Sequence, residues 1–213
     1  VKRKVAILIS GRGSNMTSLI AAARDDSFPA EIVLVLSNRP DAAGLDRARE
    51  AGIEACAIDH RPFKGDRAAH EARIDGALRA AGVEIVCLAG YMRLLTSYLV
   101  GAWRGRMLNI HPSLLPAFPG LHTHQRAIDA GVKLHGCTVH LVTEQMDEGP
   151  ILAQAAVPVL PGDTEDALAS RVLAREHLIY PAALAAFAQG NAGIPAGEDS
   201  ALLNPLPTWA ALA

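Results

Sequence analysis

Val5-Ala-Ile-Leu-Ile9 runs straight into Ser10-Gly-Arg-Gly-Ser-Asn15, and this passage sets the fold class. Five consecutive apolar residues without polar alternation read as a strand buried on both faces, as in the centre of a parallel sheet. Two glycines then turn the chain sharply, and an amphipathic helix is expected through about Arg24. The first N–H groups of such a helix, together with its dipole, converge on one point. That is a cradle for a phosphate, with the Ser14 hydroxyl and the Asn15 amide beside it. A dinucleotide fingerprint would place a third glycine where Met16 stands, and a P-loop would need Gly-Lys-Ser/Thr, which is absent. The loop therefore suits a phosphate monoester better than NAD or ATP. A strand-to-helix turn that binds nothing uses the same glycines.

The same alternation continues outward from this unit. Strands are expected at 31–37, 54–59 and 83–89, with helices at 41–51, stopped by Gly52, and at 66–81, stopped by Gly82. Strict alternation of strand and helix implies an α/β fold: a Rossmann-like, mostly parallel open sheet with helices on both faces. Further on come a strand ending at His111, a proline-rich loop at 112–120, a short helix at 122–130 and strands at 134–142 and 151–159. Polar and apolar residues alternate in Thr138-Val-His-Leu-Val142, which points to an exposed or antiparallel face. Thr164 caps a last helix that Pro181 is expected to kink or restart. The reading is one domain over 1–190 and a C-terminal tail over 191–213, without internal repeats.

The 213 residues are half apolar and carry 20 basic and 22 acidic side chains, a net charge of −2. Such a balance leaves no electrostatic footprint for nucleic acid and predicts no nucleic-acid partner. No stretch approaches the ~18 apolar residues of a membrane span. The basic residues before Val5 raise a secretory leader, but the apolar run is short and ends in the glycine loop, so a cytoplasmic protein is expected. Cys56, Cys87 and Cys137 stand in or beside apolar runs without metal-like spacing and read as reduced thiols. Five histidines fall between 111 and 140, yet neither His122-x-His124 nor the other spacings match a zinc pattern, so no metal is expected. The sequence leaves open whether the chain pairs as a homodimer.

The chemistry concentrates in Arg106-Met-Leu-Asn109-Ile-His111-Pro112 and, after a gap, Met146-Asp147-Glu-Gly149-Pro150. Residues two apart on a strand share a face, so Asn109 and His111 are expected to project together. Pro112 ends the strand and leaves His111 at its carboxyl end, where open α/β sheets bind ligands. A carboxamide that donates to an oxyanion, beside an imidazole that moves a proton, suits attack on a carbonyl. A buried, hydrogen-bonded Asn or His of purely structural role fits the same positions. Asp147 lies in a loop able to close over the site, where its carboxylate would orient the ring.

Asn109-Ile-His-Pro-Ser-Leu-Leu-Pro116, Phe118-Pro-Gly-Leu-His-Thr-His124, Gly136-Cys-Thr-Val-His140 and Met146-Asp-Glu-Gly-Pro150 closely resemble the formyltransferases that use 10-formyltetrahydrofolate. Between Val5 and about Pro181 the chain is most similar to the branch that formylates phosphoribosylglycinamide in purine synthesis. The resemblance implies the formyltransferase fold and small-molecule substrates, with 10-formyltetrahydrofolate as co-substrate. It implies Asn109, His111 and Asp147 as catalytic residues. Gly13, Ser14, Asn15 and Glu176 would meet the phosphoribosylglycinamide. Arg67, Met92, Arg93, Leu94 and Leu95 would meet the folate, joined by Asn109 and by Thr143, Glu144, Gln145, Met146 and Asp147, with Thr138 behind them near a catalytic water. Alignment at Arg67 requires a one-residue gap. Glu148 stands where the family favours small residues and Leu141 where it favours an aromatic. Formyltetrahydrofolate deformylase and the tRNA-directed enzyme share the Asn-Ile-His-Pro run but carry further domains, which is expected to separate them from this chain. From another class, a phosphate-ligand binding module without catalysis is the alternative.

Overall fold

The computed structural model describes residues 1–190; the tail expected at 191–213 lies outside them. The described chain forms two compact units, Val1–Asn109 and Ile110 onward.

In the first unit β1 (Arg3–Ile9) leads through the glycine loop into α1 (Ser14–Ala23), β2 (Ala30–Ser37), α2 (Gly44–Glu50) and β3 (Glu54–Ala57). A short 3-10 turn at Arg61–Phe63 precedes α3 (Arg67–Ala80), β4 (Ile85–Leu88), α4 (Ser97–Ala102) and β5 (Met107–His111), within which the first unit ends. Val5 to Ile9 are all 0% exposed, which is why no polar residue interrupts them. Met16 and Leu19 of α1, Leu45 of α2, and Ile74 and Leu78 of α3 are buried with the strands in this core. Asp66 caps α3 by accepting the Ala69 N–H at 3.0 Å, which places the helix start where the sequence expects it.

Among the boundaries that move, two have a plain physical reason. The helix expected from Asp41 begins at Gly44, because Arg39 to Asp41 form a turn closed by the Arg39–Asp41 ion pair at 2.7 Å. The strand expected through Asp59 ends at Ala57, although the Ile58 and His60 N–H groups still donate to Ser37 and Asn38.

The second unit holds α5 (Thr123–Asp129), β6 (Leu134–Leu141), β7 (Ile151–Pro158) and α6 (Glu165–Ala188). α6 packs along β6 and β7. Thr164 caps it by accepting the Ala167 N–H, and Glu165 and Asp166 complement the dipole of its first turn. Pro181 neither stops nor restarts this helix, which continues to Ala188. Its ring deprives one turn of a hydrogen bond, at a cost of about 3 kcal/mol. Every residue from Ile179 to Ala185 is buried, however, and that packing holds the turn in place.

Seven strands pair in the order β3-β2-β1-β4-β5-β6-β7. The pairings β3·β2, β2·β1, β1·β4 and β4·β5 are parallel, and β6·β7 is antiparallel. The antiparallel pair is the one whose sequence alternates. Strand order reverses between β1 and β4, so the carboxyl ends of these two strands form the switch point at which such sheets bind ligands.

Candidate active site

β5 carries Asn109 and His111 two residues apart, on positions of one strand face. His111 is buried at the strand end, and Pro112 turns the chain away from it. The His111 ring lies between two acceptors: Nε2 meets the Phe118 carbonyl at 3.1 Å, and Nδ1 faces Asp147 Oδ2 at 3.5 Å. A ring carrying both protons makes both contacts at once.

Asp147 is enclosed by polar groups. Its Oδ2 also accepts the Gly120 N–H at 2.9 Å, and Oδ1 lies 3.8 Å from His140 Nε2. All three side chains are at most 10% exposed. His140 was not singled out from the sequence as a site residue. It stands two residues beyond Thr138 on β6, and a second polar side chain on that face of a buried strand is the signal that identifies it. Burial holds its ring below the ordinary histidine value, against the opposing pull of its bond to the Leu141 carbonyl and of the Asp147 carboxylate.

Backbone conformation around this cluster is unusual. Phe118, His122 and Asp147 all take positive φ, at 52°, 55° and 60°, a region that side chains enter at a cost. The loop that bears the strain is tied down by Thr138, which is fully buried. Its hydroxyl donates to Ser113 O at 2.7 Å and accepts from Leu115 N and from Gln154 Nε2, each at 3.0 Å. Thr138 thus fastens the proline loop to β6 and β7.

Glu176, also expected at the site, is buried in α6 on the side of β6 where Cys137 sits. Burial, with the Glu176 carboxylate adding to it, pushes the Cys137 thiol up. Thr143 closes the 143–147 turn by donating to Gln145 O, and Glu144, Gln145 and Met146 are exposed along it. Of the histidines between 111 and 140, His124 and His135 meet, with His124 Nδ1 3.2 Å from His135 Nε2. Among the described residues no group of three or more His, Cys, Asp or Glu side chains is arranged to hold a metal.

The remaining expected residues belong to the first unit. Gly13 takes φ 71°, a left-handed conformation that glycine enters without strain, and from it α1 starts with no side chain capping its end. The Gly13 carbonyl accepts both Thr17 N–H and Thr17 Oγ–H, and Gly11 O accepts Gly44 N–H at 3.0 Å. Ser14 and Asn15 open the helix. At the exit of β4, Met92 and Leu94 are 68% and 59% exposed, two large apolar side chains on the surface of one short loop with Arg93 between them. Burial pushes the phenol of neighbouring Tyr91 above its ordinary range. Ser10 joins the glycine loop to this exit loop, its hydroxyl accepting the Met92 N–H at 2.8 Å. Arg67 is exposed at the start of α3 and takes no part in that connection.

The profile of the Formyl transferase family matches residues 3–184. Phosphoribosylglycinamide formyltransferase of Escherichia coli is 43% identical over 187 residues, 88% of each chain. The trifunctional purine biosynthetic protein adenosine-3 of Drosophila melanogaster is 49% identical over 193 residues, which are 90% of this chain and 14% of that protein. This chain therefore spans about one-seventh of that multifunctional relative. Among solved structures, phosphoribosylglycinamide formyltransferase from Brucella melitensis superposes with a TM-score of 0.84 at 58% identity, covering 88% of this chain and 96% of that one.

Proposed function

Because the chain belongs to the formyl transferase family, we propose that it transfers the formyl group of 10-formyltetrahydrofolate to the amine of 5-phosphoribosylglycinamide, a step of de novo purine synthesis. The observation that carries the chemistry is the Asp147 carboxylate facing His111 and accepting the Gly120 N–H at the end of the strand that bears Asn109.

The amine attacks the formyl carbon, a C–N bond forms, and the carbonyl electrons move to oxygen. Asn109 donates its carboxamide N–H to that oxyanion. His111 gives up one of its two present contacts to do the same. Asp147 keeps the ring oriented and takes the proton that the amine must lose, directly or through a water. Collapse breaks the bond to the folate nitrogen, which leaves with a proton, so the products are formylated glycinamide and tetrahydrofolate. His140 lies 3.8 Å from the second oxygen of Asp147, and Thr138 holds the loop that supplies the Phe118 and Gly120 contacts.

In this reading the α1 end with Gly13, Ser14 and Asn15 takes the substrate phosphate, helped by dipole and backbone N–H groups, and Glu176 meets the glycinamide or its ribose. Met92 to Leu95 and the 143–147 turn take the flat folate ring system, with Arg67 and Arg93 available for its carboxylates.

The test is a formyl-transfer assay offering phosphoribosylglycinamide, water and methionyl-tRNA as acceptors. Fast transfer confined to the glycinamide supports the proposal. Transfer to water or tRNA instead would keep the chemistry and overturn the acceptor. Folded protein without turnover on any acceptor would favour a binding module.

A further inference from the structure

Ser10 lies at the switch point between β1 and β4 and is 5% exposed. It immediately precedes the glycine loop. Its backbone N–H donates to the Gly90 carbonyl at 3.1 Å. Its hydroxyl donates to Asn38 Oδ1 at 2.5 Å and accepts the Met92 N–H at 2.8 Å. One donor and one acceptor are thereby committed, and the orientation of the hydroxyl is determined: with its proton on Asn38, its lone pair must face Met92. Asn38 is itself held, since His60 Nδ1 meets the Asn38 carbonyl at 2.8 Å.

The exit loop is suspended between two such anchors. At its far end Glu71 accepts both Thr96 N–H, at 2.8 Å, and Thr96 Oγ–H, at 2.5 Å. Between the anchors the loop exposes Met92 and Leu94. The near anchor differs in kind from the far one, because Ser10 is also the root of the glycine loop. A shift of the Gly11 to Ser14 backbone that reached Ser10 would move the acceptor of the Met92 N–H.

We propose that Ser10 is a positioning residue that couples the two loops, so that the phosphate-bearing substrate and the folate each bind more tightly when the other is present. The proposal rests on the reading of these loops as the phosphate and folate sites. Coupling between two ligands is reciprocal, and one neutral hydrogen bond carries a net effect of roughly threefold to tenfold in an equilibrium constant.

The experiment is a pair of calorimetric titrations with tetrahydrofolate, the product that lacks the formyl group and so cannot turn over. One is made in the absence and one in the presence of saturating phosphoribosylglycinamide. The ratio of the two dissociation constants should be roughly three to ten in the wild type. It should fall to near one in Ser10→Ala and return in Ser10→Thr, which keeps the hydroxyl. Asn38→Ala, which frees that hydroxyl to rotate, should lower the ratio too and serves if Ser10→Ala does not fold. A ratio near one in the wild type, or an unchanged ratio in the two alanine variants, overturns the coupling while leaving the assignment of the loops intact. Failure of the folded wild type to bind tetrahydrofolate at all removes the folate reading and the coupling with it.

Discussion

Acidification from pH 7 to pH 4 is expected to destabilise the protein through the histidine pair of α5 and β6. His135 is 1% exposed. Its Nε2 lies 3.2 Å from His124 Nδ1, and its ring meets those of His124 and Phe118 edge-on at centroid distances of 5.2 and 5.9 Å. Burial is the main cause that drives its pKa from 6.5 down to about 4, with His124 and His111 adding repulsion. Burial lowers His124 likewise, and the distant Glu165 carboxylate opposes that only in part. The folded state therefore binds a proton less readily than the unfolded chain. Between pH 6.5 and 4 the unfolded chain carries more protons, so stability rises with pH across that window and is lost as pH falls through it. At roughly 1.4 kcal/mol per pH unit, the interval corresponds to at most about 3 kcal/mol for His135. That is a large fraction of the stability of an ordinary domain. Urea denaturation followed by circular dichroism at half-unit steps of pH measures it. His135→Phe keeps an aromatic ring against Phe118 but cannot titrate. The gap between the wild type and this variant should change by up to about 3 kcal/mol in the variant's favour on going from pH 7 to pH 4. Parallel stability curves for the two proteins would refute the argument.

Three further outcomes follow from the geometry. A Cβ at Gly136 would run into the Ala155 carbonyl on β7 and come within 2.9 Å of Leu114 Cδ2, so Gly136→Ala must push the strand pair apart. At about 1–3 kcal/mol for such overpacking, a thermal melt should show a midpoint lower by roughly 2–12 °C, and an unmoved midpoint would contradict so close an approach of the two strands. In steady-state kinetics Asn109→Ala and His111→Ala should each lower kcat about 100- to 10,000-fold with folding intact. His140→Ala, which removes the ring packed beside one oxygen of Asp147, should cost about 10- to 100-fold. Equal rates for wild type and His140→Ala would leave that residue a packing role.

What could be read from the sequence was whatever depends on neighbours along the chain. Val5 to Ile9 declare a two-sided burial because no polar residue interrupts them, and Gly13 and Asp66 mark helix starts by local rules. Asn109 and His111 stand out because polar residues are rare in such a strand. What stayed hidden depends on partners distant in sequence. His140 joins the site because the 143–147 turn brings Asp147 back to β6, and Thr138 becomes a fastening point because Leu115 and Gln154 reach it from two other segments. The role of Ser10 is equally invisible, since its two side-chain partners are 28 and 82 residues away. Pro181 misleads for the opposite reason: the local rule is sound, and the burial of seven consecutive residues outweighs it.

The His111 cluster combines two costs that are individually avoidable. A carboxylate with only 10% of its side chain exposed has lost most of its hydration, and three non-glycine residues nearby occupy the left-handed region. Neither serves packing, since smaller residues or glycine would relieve the strain and an apolar side chain would fill the space of Asp147. Their joint effect is to aim the Phe118 carbonyl and the Asp147 carboxylate at opposite nitrogens of one ring and to aim the Gly120 N–H at the same carboxylate. Dipoles set in place before the substrate arrives need no rearrangement when charge develops, which is where such sites gain most of their rate. The strained loop is therefore better understood as the price of a preorganised imidazole than as a defect of the fold. The saturated hydroxyl of Thr138, buried behind it, is what keeps that arrangement from relaxing.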